Sequence, residues 1–440
     1  MKSTAVPSGG TLRKPPARRS TGLRSGLLAC LAAALLLVTG CGDDGGQDDG
    51  GTGTSAAQSP AAADVLGPTA PAQGEPVRIG LVTDGKNAVT DQSVELTVAD
   101  ATVKYLNERR SGIGGRPIEL VTCESLADPG KTVDCANRMV EENVVAVIVG
   151  AVASMETLWE PLREAGLPMM FYSGGGADLL RDTGATFALS DSNAGIIDFP
   201  IQLAKDSGAS KVSFVVIDVP GATSVLKTIA PPLFEEAGVE MELVAIPPGT
   251  ADMNPQMQTL VNGDPGVVFI LGNDAFCISA LNGLRSAGFT GQVSGIAQCI
   301  SDATREAVPA DMLDGMVVSA TTPIGVDNPS TRLYNAVATT YGKDIDTSRI
   351  AGMNTFIVLA AFQSATEGIS GDITPEAITA TIKAMPEKEL PAGGGLRFRC
   401  NGKADPSLPA VCVRGGLIAT LDGEGHPIEY KVVGASPIED

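Results

Sequence analysis

One histidine, His426, serves all 440 residues. That scarcity removes multi-histidine metal sites and leaves a catalytic triad a single imidazole to draw on. His426 sits near the C-terminus in Gly-Glu-Gly-His-Pro and reads as an exposed turn residue. Other signatures are missing too: there is no Gly-x-Ser-x-Gly, no phosphate-binding loop ending in Gly-Lys-Ser/Thr, and no Cys-x-x-Cys. The nearest glycine cluster, Gly112-Ile113-Gly114-Gly115, follows a helical pattern, so it lacks the strand-to-helix setting of a dinucleotide fingerprint. No enzyme activity, cofactor or metal is expected. Basic residues are also scarce, at 31 Lys and Arg against 51 Asp and Glu. Nucleic acid needs a basic face, so it is excluded as a partner. Acidity of this kind suits a soluble secreted protein.

Long apolar runs are absent as well. Leu27–Val38 is about a dozen residues, too short to span a bilayer comfortably. It is preceded by Lys2, Arg13, Lys14, Arg18, Arg19 and Arg24, and residues 1–40 contain no acid. A basic stretch, a short apolar core and small residues at its end make an export signal. The end here, Val38-Thr39-Gly40-Cys41, resembles the lipobox of bacterial lipoproteins. That resemblance implies cleavage before Cys41 and a diacylglycerol on its thiol, which would anchor the chain at the outer face of the cytoplasmic membrane. A plain secretory signal with an incidental cysteine is the alternative. Loss of residues 1–40 removes six basic residues and leaves 25 against 51 acidic, a formal charge of −26. Residues 41–76 are Gly, Asp, Ser, Ala, Pro and Gln with almost nothing large, and read as a disordered, hydrated tether.

Six cysteines remain beyond Cys30 and Cys41: Cys123, Cys135, Cys277, Cys299, Cys400 and Cys412. An even number in an exported chain suggests disulfides. Six thiols allow fifteen pairings; their clustering in three sequence-local pairs favours 123–135, 277–299 and 400–412. A metal site is the alternative, disfavoured by the wide spacing and the missing histidines.

From Val77 the chain alternates short apolar runs with helical patterns. Strands are expected at Val77–Thr83, Ile118–Cys123, Val144–Gly150 and Pro168–Tyr172, and again at Lys211–Ile217, Val239–Ile246, Val267–Leu271 and Gln292–Ile296. Helices lie between them; one begins at Asp128-Pro129, with Asp as N-cap and Pro in the first helical position. Such alternation implies right-handed βαβ units and parallel sheets covered on both faces. Two runs, over 364 residues beyond the tether, give an α/β fold with two lobes.

Ordered motifs then point to a family. Leu106-Asn107 followed by Gly112-Ile113-Gly114-Gly115-Arg116-Pro117-Ile118-Glu119-Leu120 resembles the "I-N-x-x-G-G-I-x-G-x-P-I-E-L" stretch of the branched-chain amino-acid-binding proteins of ABC importers. Asp128-Pro129, the strand ending at Gly150, Ser154, Ala165-Gly166-Leu167-Pro168 and Asp191-Ser192-Asn193-Ala194-Gly195 follow in that family's order. The resemblance covers nearly all of residues 77–440. It implies the type I periplasmic-binding-protein fold: two doubly wound parallel-sheet lobes joined by a hinge, monomeric. The N-lobe would be 77–194 with 321–390, and the C-lobe 195–320 with 391–440. A small solute would bind between them, and the closed form would dock on an ABC permease with its ATPase. A sensory receptor coupled to a membrane signalling protein is the alternative.

Ligands of doubly wound sheets lie beyond the carboxyl ends of strands, where helix N-termini favour anions. Ser154 and Ser173-Gly174-Gly175 stand at such ends. By the resemblance, Ser154 corresponds to the serine that holds the solute carboxylate; a plain helix cap is its other role. Glycine at Gly175 replaces a hydroxyl residue common in the family. Gln298 stands where many members carry an acid for the solute ammonium, a charge a neutral side chain does not balance. Asp274 is a second candidate for that charge, or an N-cap, and Phe276 a cleft wall or a core residue.

Overall fold

A computed structural model describes residues 62–87, 90–191 and 193–440. The expected export signal, Cys41, most of the expected tether and Ser192 lie outside them. The described chain opens with α1 (Ala62–Leu66), and Leu66 is buried against the helix 329–341. Ala70, Ala72 and Gln73 then donate backbone N–H groups to the carbonyls of Glu108, Asn107 and Gly115 at 2.7–2.9 Å. Residues 62–76 are therefore strapped to the globular part, and the expected tether does not reach residue 76. Backbone hydrogen bonds do this work, and they need no large side chains.

β1 (Val77–Thr83), α2 (Val94–Arg109), β2 (Ile118–Glu124), α3 (Pro129–Glu141), β3 (Val147–Val149), α4 (Met155–Glu164), β4 (Met169–Phe171), α5 (Ala177–Leu180) and β5 (Thr186–Ala188) build the first lobe. Its sheet runs β2-β1-β3-β4-β5, all parallel. Local chemistry sets the elements. β1 is β-branched and apolar, and buried on both faces. In α2, Val98, Ala101 and Tyr105 recur at helical spacing and are buried. At α3, the Asp128 side chain accepts the Lys131 N–H at 2.9 Å, with Pro129 in the first turn, as its sequence predicts.

The chain leaves this lobe after Leu189 through a wide turn, Ala194–Asp198, into α6 (Phe199–Ser207). The second lobe follows: β6 (Lys211–Ile217), α7 (Pro220–Thr228), α8 (Ala230–Ala237), β7 (Glu240–Ile246), α9 (Asn254–Asn262), β8 (Val267–Leu271), α10 (Asp274–Ser286), β9 (Val293–Ile296), α11 (Asp302–Ala307), α12 (Ala310–Leu313) and β10 (Val317–Ala320). β7-β6-β8-β9-β10 are parallel. Between β6 and β7 the chain forms two helices rather than one, with the break at Ile229.

From β10 the chain returns to the first lobe. α13 (Pro329–Tyr341) and α14 (Ile350–Ala365) pack on α2, and α15 (Pro375–Ala384) follows. Twelve of the sixteen residues of α14 are buried, at roughly 1.5–3 kcal/mol for each large apolar side chain. The next segment corrects the expected boundary at residue 390. Leu390, Leu396, Phe398, Cys400, Cys412 and Val413 are all buried in the first-lobe core. β11 (Lys388–Glu389) pairs with β12 (Arg397–Phe398), and Val411 pairs in parallel with Ala188 at the end of β5. Only with β13 (Gly416–Leu421) does the chain re-enter the second lobe; β13 adds antiparallel to β10, and β14 (Pro427–Val433) to β13. The expected boundary fails because the pairing of Val411 with Ala188 spans more than two hundred residues and leaves no local pattern.

The tail then crosses back once more. Ile438 is buried and donates its N–H to Glu387 Oε1 at 3.1 Å, while Arg399 donates to Asp440 Oδ1 at 2.6 Å and Arg414 to Glu439 Oε2 at 2.9 Å. Three disulfides join Cys123 to Cys135, Cys277 to Cys299 and Cys400 to Cys412, the three local pairs. No helix among the described residues is long and apolar enough to cross a membrane.

Candidate functional site

In the first sheet the strand order reverses between β1 and β3, because the chain goes from β1 outward to β2 and back across to β3. The carboxyl ends of those two strands splay apart at such a point, and the crevice between them is where doubly wound folds bind ligands. Two adjoining cavities open there, of about 530 and about 350 Å³. Gln92, Gly150, Ala151 and Ser173 line both. Tyr172 from the end of β4, and Arg349 and Asn354 from the start of α14, complete the larger one.

Two acids form the polar base of the pair, Glu95 in the larger cavity and Asp84 in the smaller. Glu95, in the first turn of α2, is 2% exposed. Its carboxyl accepts the Thr83 hydroxyl and the Ala151 N–H, the latter at 2.9 and 3.1 Å to its two oxygens. Burial pushes its pKa up, against those hydrogen bonds, which favour the ionised form. Gly150 passes so close that a Cβ there would run into the Glu95 carboxyl, so any larger residue would displace that carboxyl from its partners. Asp84, at the end of β1, is 5% exposed. It accepts from Ser125 Oγ and from the N–H groups of Ala127, at 3.1 Å, and Ala153, at 2.9 Å. Between them the two acids fix the β3–α4 loop that carries Ser154.

Tyr172 ties the cavity to a lobe crossing. Its ring is buried, its hydroxyl donates to the Thr321 carbonyl just after β10, and burial raises its pKa. Arg349 donates to the Asp91 carbonyl and lies near Glu95.

The expected residues fall in several places. Ser173, Gly174 and Gly175 are exposed and line the smaller cavity, and Gly174 and Gly175 take φ of 115° and 79°, which favours glycine. Ser154 stands before α4 with no side-chain cap hydrogen bond, so its hydroxyl is not spent as a cap. Neighbouring Ala153 and Met155 line the smaller cavity. In the second lobe, the α10 cap is Asn273, whose side chain accepts the Phe276 N–H at 3.0 Å; Asp274 is the next residue and lies 3.3 Å from Ser301 Oγ. Phe276 is 4% exposed within the second-lobe core, which replaces the cleft-wall expectation. Gln298 is exposed on a single helical turn, Ala297–Cys299, anchored by the Cys277–Cys299 disulfide. His426 is exposed in the β13–β14 turn, where its N–H donates to Asp422 Oδ1 at 2.8 Å.

Asp84, Glu95, Gln92, Tyr172, Arg349 and Asn354 were not singled out from the sequence. Only the two acids carry a signal in the sequence. Asp84 directly follows β1 at the reversal of strand order, and Glu95 sits on the same helical face as Val98 and Thr102, where an acid interrupts the buried stripe.

A family of periplasmic binding proteins matches residues 76–416. The chain belongs to that family. Periplasmic binding proteins of this kind bind their substrates and do not transform them, and the paired parallel sheets are the two-lobed type I fold. Solved structures share the fold. An ABC transporter substrate-binding protein from Sphaerobacter thermophilus is 19% identical, with TM-score 0.62, covering 83% of this chain and 98% of its own. The branched-chain amino acid transporter substrate binding protein of Streptococcus pneumoniae, in complex with isoleucine, is 15% identical with TM-score 0.59, covering 82% and 100%. A solute binding protein of an ABC transporter from R. palustris, in complex with 4-hydroxybenzoate, is 18% identical with TM-score 0.60, covering 83% and 98%. None of the curated proteins matches this chain.

Proposed function

We propose that this periplasmic binding protein is the lipid-anchored receptor of an ABC importer, capturing an amino acid or a related small carboxylate or amide by closure of its two lobes. The observation that carries the reading is the polar cavity at the strand-order reversal of the first lobe, within a chain of this family. Structural relatives that hold isoleucine and 4-hydroxybenzoate support solutes of that size. Ser154, Ser173, Gly174 and Gly175 contribute from the first lobe, and Asp274 and Gln298 from the second. Closure requires the crossings between lobes to flex while each sheet stays rigid. A lipid on Cys41 holds the receptor at the outer face of the cytoplasmic membrane, beside the permease that its ATPase drives.

A thermal-shift panel of amino acids, amides and small aliphatic and aromatic acids tests this. A true solute at a hundred times its dissociation constant stabilises by about 2.7 kcal/mol. A panel that leaves the melt unmoved refutes solute capture. Mass spectrometry of the membrane fraction tests the anchor: a mature chain that does not begin at a diacylglycerol-modified Cys41 refutes it.

A further inference from the structure

The two large sheets end in four outer strands, and three of them do not suit a second copy of the chain. The end of β5 is already met by Val411, which pairs with Ala188. β2 carries Glu119 and Glu124, and β7 carries Glu240 and Glu242, with no base on either strand. Chains with a formal net charge of −20 repel one another, and an acidic edge adds to that repulsion. β14, at the other end of the second sheet from β7, differs. It carries one acid and one base, Glu429 and Lys431, both exposed and 2.9 Å apart. Among the described residues its backbone hydrogen-bonds only to β13, so one row of N–H and C=O groups is left open. Ile428, on the same strand, is 57% exposed, the most exposed large hydrophobic side chain among the described residues. Tyr430 fixes the strand in place, its hydroxyl donating to the Ile324 carbonyl at 2.6 Å.

An open edge of this kind accepts another strand through main-chain hydrogen bonds, and the side chains that then face each other decide which strand. Antiparallel pairing of β14 with its own copy across a two-fold axis sets residues opposite one another in reverse order about a centre. Centred on Tyr430, it places Glu429 opposite Lys431 of the partner subunit, twice over, and Ile428 opposite Val432 of the partner subunit. Centred one pair to either side, it would set Glu429 against Glu429 or Lys431 against Lys431. Opposite charges directly across a strand pair favour it, and like charges oppose it, so one arrangement is selected. We propose that two copies of this chain associate through β14, centred on Tyr430, and so continue the seven-stranded sheet of the second lobe from one copy into the other. One pair of strands buries less than a standard interface, so the dimer is weak, with a dissociation constant on the order of 0.1 mM. The monomer that the family resemblance implies then describes the dilute chain.

Sedimentation equilibrium of the full mature chain, with Cys41→Ser to leave it without a lipid, tests this from about 1 µM to about 1 mM. The mass is expected to rise from that of one chain towards that of two; one-chain mass throughout overturns the proposal. Glu429→Lys sets lysines against lysines, and Lys431→Glu sets glutamates against glutamates. Each should weaken the dimer by about tenfold or more. The melting temperature should not move, because both positions are exposed. An equimolar mixture of the two single variants restores opposite charges across the axis and should recover the two-chain mass, as should the double exchange in one chain. A dimer indifferent to both single variants lies on another surface, and a mixture that stays at one-chain mass removes the charge pairing; either result overturns the proposal. Solute capture is read separately, by the thermal-shift panel, and stands or falls apart from all of these.

Discussion

Asp191→Asn should stabilise the protein at neutral pH and lose that advantage in acid. Asp191 sits where the chain first leaves the first lobe, and its Oδ1 accepts the N–H groups of Asn193 and Ala194 at 3.0 and 3.2 Å. Burial, reinforced by the nearby carboxylates of Asp198 and Asp405, lifts its pKa from 3.8 to about 6. The folded state therefore holds the proton more tightly than the unfolded state. Stability from this group is fully present below about pH 4 and is lost as pH rises through about 6. The difference corresponds to about 3 kcal/mol at pH 7 and above. Arg414 also feels Asp191, an attraction that favours the ionised acid, so this figure is an upper one. Asparagine keeps the Oδ1 acceptor and never ionises. Urea melts of wild type and Asp191→Asn at half-unit steps from pH 4 to pH 8 measure the gap. It should open from near zero at pH 4 to between ~1 and ~3 kcal/mol at pH 7–8, with the variant the more stable. A gap that is flat across that range, or that favours the wild type at pH 8, would refute the assignment of a buried, proton-retaining carboxyl at the crossing.

Three further outcomes are expected. Glu95→Ala leaves the Ala151 N–H and Thr83 hydroxyl without their partner and should cost about 1–3 kcal/mol in chemical denaturation; a cost below 0.5 would mean that water replaces the carboxyl freely. Ser154→Ala, which breaks no cap hydrogen bond, should leave stability within about 0.5 kcal/mol and weaken solute binding by roughly fivefold, the value of one hydrogen bond. Unchanged affinity in titration would remove Ser154 from the site. Replacing Cys277 and Cys299 with serine opens a loop of 22 residues and should cost about 3 kcal/mol on the chain-entropy account, read as a lower melting temperature; an unmoved melt would count against a bond that constrains the unfolded chain.

Much of the fold was legible because its cause is local. Val267–Leu271 is a continuous apolar run and Lys211–Ile217 is one broken, after Lys211, only by Ser213, and the observed strands have those bounds. Asp128-Pro129 marks a helix start with two residues that act on their own turn. What was not legible depends on contacts between distant residues. β5 is three residues long and exists because β4 lies beside it. Residues 390–413 join the first lobe through the distant pairing of Val411 with Ala188. The site behaves in the same way. Ser173, Gly174 and Gly175 were found from their place after a strand. The acids that bind the loops beside them act over long separations, with Glu95 reaching a backbone group 56 residues away and Asp84 one 69 residues away. No spacing rule links such pairs, and a buried acid on a helix looks like any other polar residue until its partner is placed.

The four crossings between the lobes bear on how the protein is made. The first lobe needs residues 62–188, 329–413 and the last few of the chain, and the second lobe needs β13 and β14 to finish its sheet. Neither core closes until almost the whole polypeptide has emerged. A chain threaded outward from its N-terminus would thus stay open during transit and fold only after arrival, with both hydrophobic cores exposed for longer than in a protein whose domains follow one another. Such a protein would depend on folding helpers on the far side of the membrane, and either lobe expressed alone as one continuous fragment should fail to fold.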